Sequence, residues 1–470
     1  MAIFYNEGER KVRPGVYQRY SDIGHSTLVG ASDGICAIPV QASWGPLGEV
    51  VKNVNAGDLK RNYGAGEYGT GFTVPAAEAM FKGGAITVYT YRLGTGGKQA
   101  SLTADGLTIT AKYPGTMAIS VAIQEKLGDP TKKQLLVYVN NAQLETWDFA
   151  ADGTAEGANL IKATANSKYI TVTGEAATVT AIAVASGALT GGENPTVTNE
   201  DYSKAFAAFE PHYYNTIALD VDDDADMTLS LLLQAYLEGA HQYGKLGIAV
   251  VGEKVTVPFE TRTAHATAFD DEMVVYLGGG WMSGADSKDG VLAICQTAGT
   301  IAATPSNKGI THSVISGATA LCESLTYAQY EAAIGAGMLL VSLSQNGAVW
   351  YDSAINTLIN PEEGIQDNGW KKIRRVKTRF ELFHRLDLVL DPLVGRVSND
   401  SYGIAEIIQE GQRIVDAMVA EGKLYAGATF MQDPDNPAEA DSAWFIIVAD
   451  DIDSLEKIYL HYQFRYSQIA

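Results

Sequence analysis

The feature that most constrains the fold is a change of pattern in the middle of the chain. Between two glycine-rich pieces, residues 94–97 and 191–195, short segments rich in Thr, Val and Ile recur at short intervals. Asn140 and Asn141 separate two of these segments and predict a tight hairpin turn. The predicted strands are Leu107–Ala111, Ile119–Glu125, Leu135–Val139, Leu144–Phe149, Tyr169–Thr173 and Thr178–Ala183. Residues 96–195 are therefore predicted to form a small β-rich domain inserted into a larger one.

Helical and extended patterns alternate on both sides of this insert. Apolar residues recur at helical spacing in several segments, and short buried strands separate them. The predicted helices include Ala76–Phe81, Met227–Tyr243, Val291–Ala303, Tyr327–Ala336 and Tyr402–Glu421, and the strands include Ala85–Tyr91, Leu246–Val251, Met273–Leu277, Met338–Ser344, Val349–Tyr351 and Ala443–Val448. This alternation is typical of α/β folds. We predict an α/β (α+β) core in two parts, residues 21–95 and 196–450.

Both ends of the chain are predicted to be extended arms. Residues 1–20 have no apolar periodicity, and Pro14 favours an extended path through Arg13-Pro14-Gly15-Val16-Tyr17. Residues 451–470 form the second arm, with a strand predicted over Lys457–Tyr466. A terminal strand either completes its own sheet or pairs with the sheet edge of a neighbouring molecule.

A short basic segment contrasts with the acidic composition. Residues 371–379 contain six Lys or Arg and no acid, whereas the whole chain has a net charge of −21. Ile373, Val376, Phe380 and Phe383 recur at helical spacing, which predicts a helix over residues 370–390 with one buried stripe. The basic residues then either bind nucleic acid or another acidic partner, or pair with acids of their own chain.

Composition excludes several classes of protein. The acidic net charge disfavours a protein that coats nucleic acid. Three widely spaced cysteines do not suggest a disulfide framework, and a reducing compartment fits. No secretory signal or membrane-spanning run is visible in the sequence, so we expect no direct membrane insertion.

Catalytic and metal-binding strings occur but lack the required context. Gly30-Ala31-Ser32-Asp33-Gly34 spells a nucleophile elbow, yet a strand pattern follows it where a helix is needed. Residues 64–69 and 239–246 resemble nucleotide-binding loops, but a helical pattern precedes each instead of a strand. Residues 220–231 begin like a calcium loop and then lack its glycine and final glutamate. We expect no catalytic residue, no metal site and no cofactor; a hydrolase using Ser32 remains an alternative.

Several segments, taken in order, resemble contractile tail sheath proteins of phages and of R-type bacteriocin particles. The resemblance covers roughly residues 1–95 and 200–470. Its segments are Arg13-Pro14-Gly15-Val16-Tyr17, Trp44-Gly45-Pro46, Leu59 to Gly64, Ala76 to Tyr89, Gly347-Ala348-Val349-Trp350, Ile355-Asn356-Thr357-Leu358, the helix over 370–390, Leu393 to Asp400, and Leu455 to Tyr459. Within the insert, only Ala111 to Gly115 resembles the family.

The resemblance implies a mechanical function. Sheath subunits polymerise as a helical tube around an inner tail tube, and contraction from a metastable extended state drives that tube through a cell envelope. Their arms add strands to sheets of neighbouring subunits, and insertions such as 96–195 face outward. The implied partners are further copies of the chain, the inner tube protein, and baseplate and tail terminator proteins, with no nucleic acid. The implied location is a phage tail or tail-like particle made in the bacterial cytoplasm.

The resemblance also assigns residues to contacts between subunits. The N-terminal arm would use Arg13, Pro14, Gly15, Val16 and Tyr17. The C-terminal arm would use Ile458, Tyr459, Leu460, Tyr462 and Phe464. The basic helix would face an acidic inner tube through residues drawn from Lys371, Lys372, Arg374, Arg375, Lys377 and Arg379.

Overall fold

The structure is a computed structural model that describes residues 3–4, 17–18, 33–174, 179–223 and 225–465. The chain divides into two units, residues 1–32 and 33–470. In the first unit, strand β1 (Ile3–Phe4) pairs in parallel with β2 (Tyr17–Gln18), so Tyr17 lies in a strand. Arg13, Pro14, Gly15 and Val16 lie outside the described residues.

The second unit contains all of the described helices. In chain order they are α1 (Ala56–Tyr63), α2 (Val74–Gly83), α3 (Glu156–Ala163), α4 (Asn199–Phe209), α5 (Thr228–His241), α6 (Phe259–Phe269), α7 (Val291–Ala303), α8 (Tyr327–Gly335), α9 (Ile373–Leu390) and α10 (Ser401–Ala420). Short 3-10 turns at Asn368–Lys371 and Asp391–Leu393 flank α9. No helix among the described residues is long and apolar enough to cross a membrane.

The strands of the second unit follow the same chain order. Before and within the insert they are β3 (Ile35–Val40), β4 (Val50–Asn53), β5 (Thr87–Arg92), β6 (Ser101–Ala104), β7 (Leu107–Ala111), β8 (Ile119–Glu125), β9 (Lys132–Val139), β10 (Ala142–Ala150), β11 (Ile170–Gly174) and β12 (Ala185–Ala188). After it they are β13 (Thr216–Ala218), β14 (Ile248–Gly252), β15 (Val274–Leu277), β16 (Trp281–Ser283), β17 (Asp286–Lys288), β18 (Ala320–Leu321), β19 (Met338–Leu339), β20 (Val341–Leu343), β21 (Val349–Tyr351), β22 (Thr429–Gln432) and β23 (Phe445–Val448).

The core of the second unit is a mainly parallel sheet. Its strand order is β19-β15-β14-β13-β3-β5-β4, and only the edge strand β4 runs antiparallel. Every residue of β13, β14 and β15 is buried, because helices cover both faces of such a sheet. Helices α2 and α7 cross closely where Gly83 meets the main chain of α7 and Gly299 meets that of α2. The predicted α/β core is confirmed.

The insert has a hydrophobic core of its own. Two antiparallel sheets, β10-β9-β8-β12 and β11-β7-β6, form it together with α3. Leu135, Val137 and Leu160 are fully buried between them, and Trp44 of the surrounding core joins the same cluster. The turn at Asn140 and Asn141 has positive φ at both residues, as the hairpin prediction requires. That the insert is a separate, outward-facing domain stays a prediction.

A third hydrophobic cluster lies in the C-terminal part of the chain. Helices α9 and α10 pack together and against the antiparallel hairpin β22–β23. Val415 and Met418 of α10 are fully buried there, beside Phe430 of the hairpin. This arrangement places the basic helix α9 between the parallel-sheet core and the last hairpin of the chain.

One sequence prediction of a strand is wrong, and a second strand does not form within the described residues of the single chain. The segment Thr178–Ala183 contains no strand over its described residues, and the strand forms later, at Ala185–Ala188, where it pairs with β8. Lys457–Tyr466 forms no strand over its described residues 457–465. In both cases the residue types favour extended backbone, but a strand requires a hydrogen-bonded partner at that position. The sequence patterns did not predict helices α3, α4 and α6 or strands β4, β6, β13, β16, β17, β18 and β22.

Candidate assembly site

Helix α9 presents its apolar stripe to the core as the sequence predicts. Ile373, Val376 and Phe380 are buried, while Phe383 is 37% exposed. Residues of the helix itself do not stabilise its N-terminal end. Its N-cap is Lys372, which makes no capping hydrogen bond, and its first turn has no acid. Cations near the positive end of a helix dipole are unfavourable, so other parts of the chain must compensate.

Three basic residues at this helix pair with acids from elsewhere in the chain. Lys372 Nζ lies 2.7 Å from Asp453 Oδ2 and 3.0 Å from Glu456 Oε2. Arg375 donates from Nε and Nη2 to the two carboxylate oxygens of Asp451, each at 2.6 Å. Arg379 reaches the same carboxylate at 3.1 Å. The acids that pair with these three basic residues therefore lie mainly in the segment that leads into the C-terminal arm.

The carboxylate of Asp451 is stabilised in its ionised form. Burial acts to raise its pKa, but the hydrogen bonds from Arg375 and Arg379 outweigh burial and hold the pKa below its usual value. Asp367 pairs with the same two arginines at 3.1 and 2.9 Å, and the guanidinium of Arg379 lies 4.4 Å from the ring centre of Trp370. Such bidentate and stacked contacts orient the side chains as well as neutralise them.

The other three basic residues donate mainly to uncharged acceptors, although Lys377 Nζ also lies 3.8 Å from Asp33 Oδ1. Lys377 is buried and donates to the main-chain carbonyls of Ile301, Ala302 and Thr304 at the C-terminal end of α7. Burial lowers the pKa of Lys377 to about 8. Arg374 Nη1 donates to Ser454 Oγ at 3.0 Å, and Lys371 Nζ donates to the carbonyl of Ile359 at 2.7 Å.

All six predicted tube-facing residues thus contact acceptors of their own chain. The hypothesis that acids of the same chain pair with the basic helix describes Lys372, Arg375 and Arg379. Contact of these side chains with an inner tube stays a prediction. The sequence could not reveal the pairing acids, since Arg375 and Asp451 are 76 positions apart.

The C-terminal arm follows this ionic cluster in the chain, and it packs against no other segment among the described residues. The side chains predicted to make contacts, Ile458, Tyr459, Leu460, Tyr462 and Phe464, are between 69% and 94% exposed. Alternating apolar side chains normally bury one face of a strand. Here both alternating sets are exposed, so the segment has the composition of a strand and none of its pairing.

The hairpin β22–β23 offers an apolar surface nearby in sequence. Its inner face buries Phe430 and packs Phe445 and Ile447 against the third cluster. Its outer face exposes Met431, Trp444, Ile446 and Val448, by 39% to 55%. Among the described residues, no third strand pairs with this two-stranded sheet. An unpaired strand edge beside exposed apolar side chains can accept a further strand.

The place where a doubly wound sheet usually binds ligands is filled by side chains. The direction of winding changes between β3 and β13, and Asp220 follows β13 there. Asp220 is fully buried and accepts hydrogen bonds from Thr73 Oγ1 at 2.5 Å and Tyr202 Oη at 2.8 Å. Burial raises its pKa to about 6. Ligand crevices of these folds lie at this position, so the network occupies space that a substrate would need.

The motif strings have structural explanations over their described parts. Asp222 pairs with Lys254, and Asp223 accepts hydrogen bonds from the main-chain nitrogens of Leu229 and Ser230 at the start of α5. Ser32 lies outside the described residues, and the strand Ile35–Val40 follows it closely. Over the described ranges, no group of three His, Cys, Asp or Glu side chains has metal-binding geometry.

Part of the chain matches a known protein family. Residues 195–357 match the family described as phage tail sheath protein central domain. This part of the chain is similar to that central domain. The resemblance to contractile tail sheath proteins is thereby confirmed, and the matched segment includes the strands β13, β14, β15 and β19 of the central sheet.

Solved structures share this sheath fold. The sheath tail protein of Desulfitobacterium hafniense has a TM-score of 0.70 at 22% identity, over 93% of this chain and 100% of that one. The helical sheath of the anti-feeding prophage in its contracted state has a TM-score of 0.54 at 10% identity, over 97% of this chain and 99% of that one.

A curated relative matches over a shorter range. The uncharacterized protein YqbK of Bacillus subtilis is 28% identical over 240 residues, which is 47% of this chain. The match spans 49% of the relative, about half its length.

Proposed function

We propose that this chain is the structural subunit of a contractile tail sheath. It would polymerise as a helical tube around an inner tail tube and contract from a metastable extended state. Its partners would be further copies of itself, the tube protein, and baseplate and terminator proteins of a phage tail or tail-like particle assembled in the bacterial cytoplasm. The role would be mechanical and not enzymatic.

The observation that carries the proposal is that one chain contains both an unpaired arm and a hairpin to which such an arm could bind. Within the described part of the chain, the apolar side chains of residues 457–465 pack against no other segment. The hairpin β22–β23 has an apolar outer face and no third strand there, and the edge of β23 is the open one because the Phe430 amide of β22 already donates to Gln412 Oε1. Apolar side chains alternate along the arm with a period of two residues, as is typical of a segment that adds as a strand to such an edge. Because each subunit supplies both parts, pairing between copies continues from subunit to subunit as an open polymer.

Charge complementarity supports pairing between copies. Residues 457–470 contain Lys457 and Arg465 and no acid, and residues 1–20 contain four basic residues against two acids. The hairpin and its connecting loop, residues 429–450, contain five acids and no Lys or Arg. Bodies with a strongly negative net charge repel one another, so basic arms and an acidic acceptor direct the encounter to one place.

The expected strength of one joint follows from the length of the hairpin strands. Strand β23 has four residues, so an added strand of equal length forms about four hydrogen bonds. At about 0.5–1.5 kcal/mol net for each, one joint contributes roughly 2–6 kcal/mol. Flexible joints of this strength hold a mesh together while the rigid bodies rotate between two packings.

The proposal is tested by removing one half of the joint. A chain ending at residue 456 retains every described contact of α9 but lacks the arm. We expect it to fold with the circular dichroism of the full chain and to form no tubes by electron microscopy or sedimentation. Long tubes from the truncated chain would refute the joint.

Point variants test the other half with a matched control. Ile446→Lys places a charge on the outer face of the hairpin, where the side chain is 40% exposed, and should abolish or strongly reduce tubes. Leu144→Lys makes the same change at a side chain that is 51% exposed on the insert. If the insert faces outward, tubes of the Leu144 variant should form normally. Equal loss of tubes in both variants would contradict a specific role for the hairpin.

A further inference from the structure

The start of α9 and the start of the C-terminal arm depend on one another electrostatically. Lys372, Arg374 and Arg375 lie at the N-terminal end of the helix, where the dipole disfavours positive charge. The helix has no acid in its first turn. Its compensating acids are Asp367 and the residues of the segment 451–456.

Ion pairs, a side-chain hydrogen bond and main-chain hydrogen bonds hold the segment 451–456 in place. Asp451, Asp453 and Glu456 form ion pairs with α9, and Ser454 accepts a hydrogen bond from Arg374. The main-chain nitrogen of Ile452 donates to the carbonyl of Lys423 at 3.0 Å, and that of Tyr425 donates to the carbonyl of Asp450 at 2.9 Å. Immediately after this segment the chain is exposed at every residue from 457 to 465.

We propose that residues 451–456 and the N-terminal end of α9 form an ionic clamp that anchors the C-terminal arm to the body of its own subunit. This proposal rests on the proposed sheath function, because an arm needs an anchor only when a neighbouring copy pulls on it. The clamp assigns the basic residues of α9 a role inside the subunit. A neighbour that binds residues 457–470 then applies its load to α9 and not to a loose terminal chain.

The path of that load continues into the core. Lys377, about one and a half turns of helix from Lys372, binds the last carbonyls of α7, and α7 crosses α2 at close distance. Helix α7 also packs on β3, β13 and β14 of the central sheet. The arm is therefore connected to the parallel sheet through α9 and α7, by contacts that do not include the acceptor hairpin.

Hydrogen exchange of the full-length chain before assembly tests the clamp. The amide hydrogens of Ile452 and Tyr425 report whether the segment is held. Lys372→Asp replaces two attractive contacts with repulsion, and we expect both amides to exchange at least about tenfold faster. The double variant Lys372→Asp/Asp453→Lys restores one of the two pairs while Glu456 still faces the new acid, so both rates should return part of the way to those of the wild-type chain.

The control is Lys98→Asp, the same change in an exposed pair with Glu193. It should leave the exchange of Ile452 and Tyr425 unchanged, and slow exchange at Val250 in the central sheet should show that each variant is folded. An unchanged rate at Ile452 in Lys372→Asp overturns the clamp. A rate in the double variant as fast as in Lys372→Asp also overturns it, because the contact with residue 453 would then not depend on charge.

Tube formation separates this proposal from the function on which it rests. If the clamp is correct, Lys372→Asp lowers the yield of tubes and the double variant restores part of it. A wild-type chain that forms no tubes, alone or with a tube protein, would refute the sheath function while the exchange result still decides the clamp.

Discussion

Gly299→Ala should destabilise the protein although alanine is the better helix former. Gly299 lies in α7, where that helix crosses α2. A Cβ atom at this position would lie 2.1 Å from the carbonyl oxygen of Met80 and 2.8 Å from its carbonyl carbon. Both atoms belong to the main chain of α2, so no side-chain rotation relieves the contact. Gly83 on α2 meets the carbonyl oxygen of Gln296 at the same distance, which leaves neither helix room to move locally.

The magnitude follows from two opposing contributions. Replacing glycine by alanine in a helix favours folding by about 1 kcal/mol. Overpacking a close-packed core costs about 1–3 kcal/mol, and more where the backbone itself must shift. Relief of the contact requires the helices to separate by about 1 Å, and this also loosens buried neighbours such as Ala298 and Met80. We expect a net loss of roughly 2 kcal/mol or more in the free energy of unfolding.

Urea unfolding followed by circular dichroism checks this value, and the chain offers a matched control. Gly239 lies inside α5, and a Cβ atom there would meet nothing within 4 Å. Gly239→Ala should therefore raise the free energy of unfolding by about 0.5–1 kcal/mol. The same substitution is expected to have opposite signs at the two positions. A Gly299→Ala chain as stable as the wild type would refute the close crossing of α2 and α7.

Two further predictions concern buried carboxylates. Asp220 has a pKa raised from 3.8 to about 6, so its protonated form is favoured in the folded state; the stability it contributes is present below pH 4 and lost as pH rises through about 6. Relative to Asp220→Asn, the wild-type chain should lose about 2 kcal/mol between pH 4 and pH 7.5, as measured by urea unfolding at both values, and a constant difference would contradict the burial argument. Glu381 is buried between Arg385 at 2.5 Å and Lys423 at 2.7 Å. Glu381→Gln should cost about 1–3 kcal/mol, because Arg385 and Lys423 lose one buried carboxylate but keep Glu421 at 2.8 and 2.6 Å. Glu410→Gln in an exposed pair should cost about 0–1 kcal/mol.

Local sequence patterns predicted the elements that form from nearby residues. The helix Val291–Ala303 and the strand Val349–Tyr351 have the predicted bounds, and the hairpin at Asn140 and Asn141 has the expected backbone angles. Each is decided by apolar period or by a turn residue that tolerates positive φ. Helix α6 was missed because its exposed polar residues show no apolar period and its largest buried side chain is an arginine, Arg262.

The basic helix shows where local patterns are not sufficient. Its apolar stripe and its bounds near 373–390 follow from the sequence. Its charges suggested a partner outside the chain, and the structure pairs them with acids of residues 451–456. No spacing rule connects charges that are 76 positions apart. The tube contact proposed for these residues remains open to experiment.

The sequence by itself determined the α/β core, the β-rich character of the insert, the buried face of α9 and the resemblance to sheath proteins. These depend on the order of apolar, glycine and turn residues along the chain, which local geometry converts into helices, strands and turns. The tertiary structure alone decided which acids neutralise the basic helix, that Asp220 fills the ligand crevice, and that residues 457–465 have no strand partner among the described residues. Those properties depend on groups brought together from distant positions, and their energies exist only once the chain has folded around them.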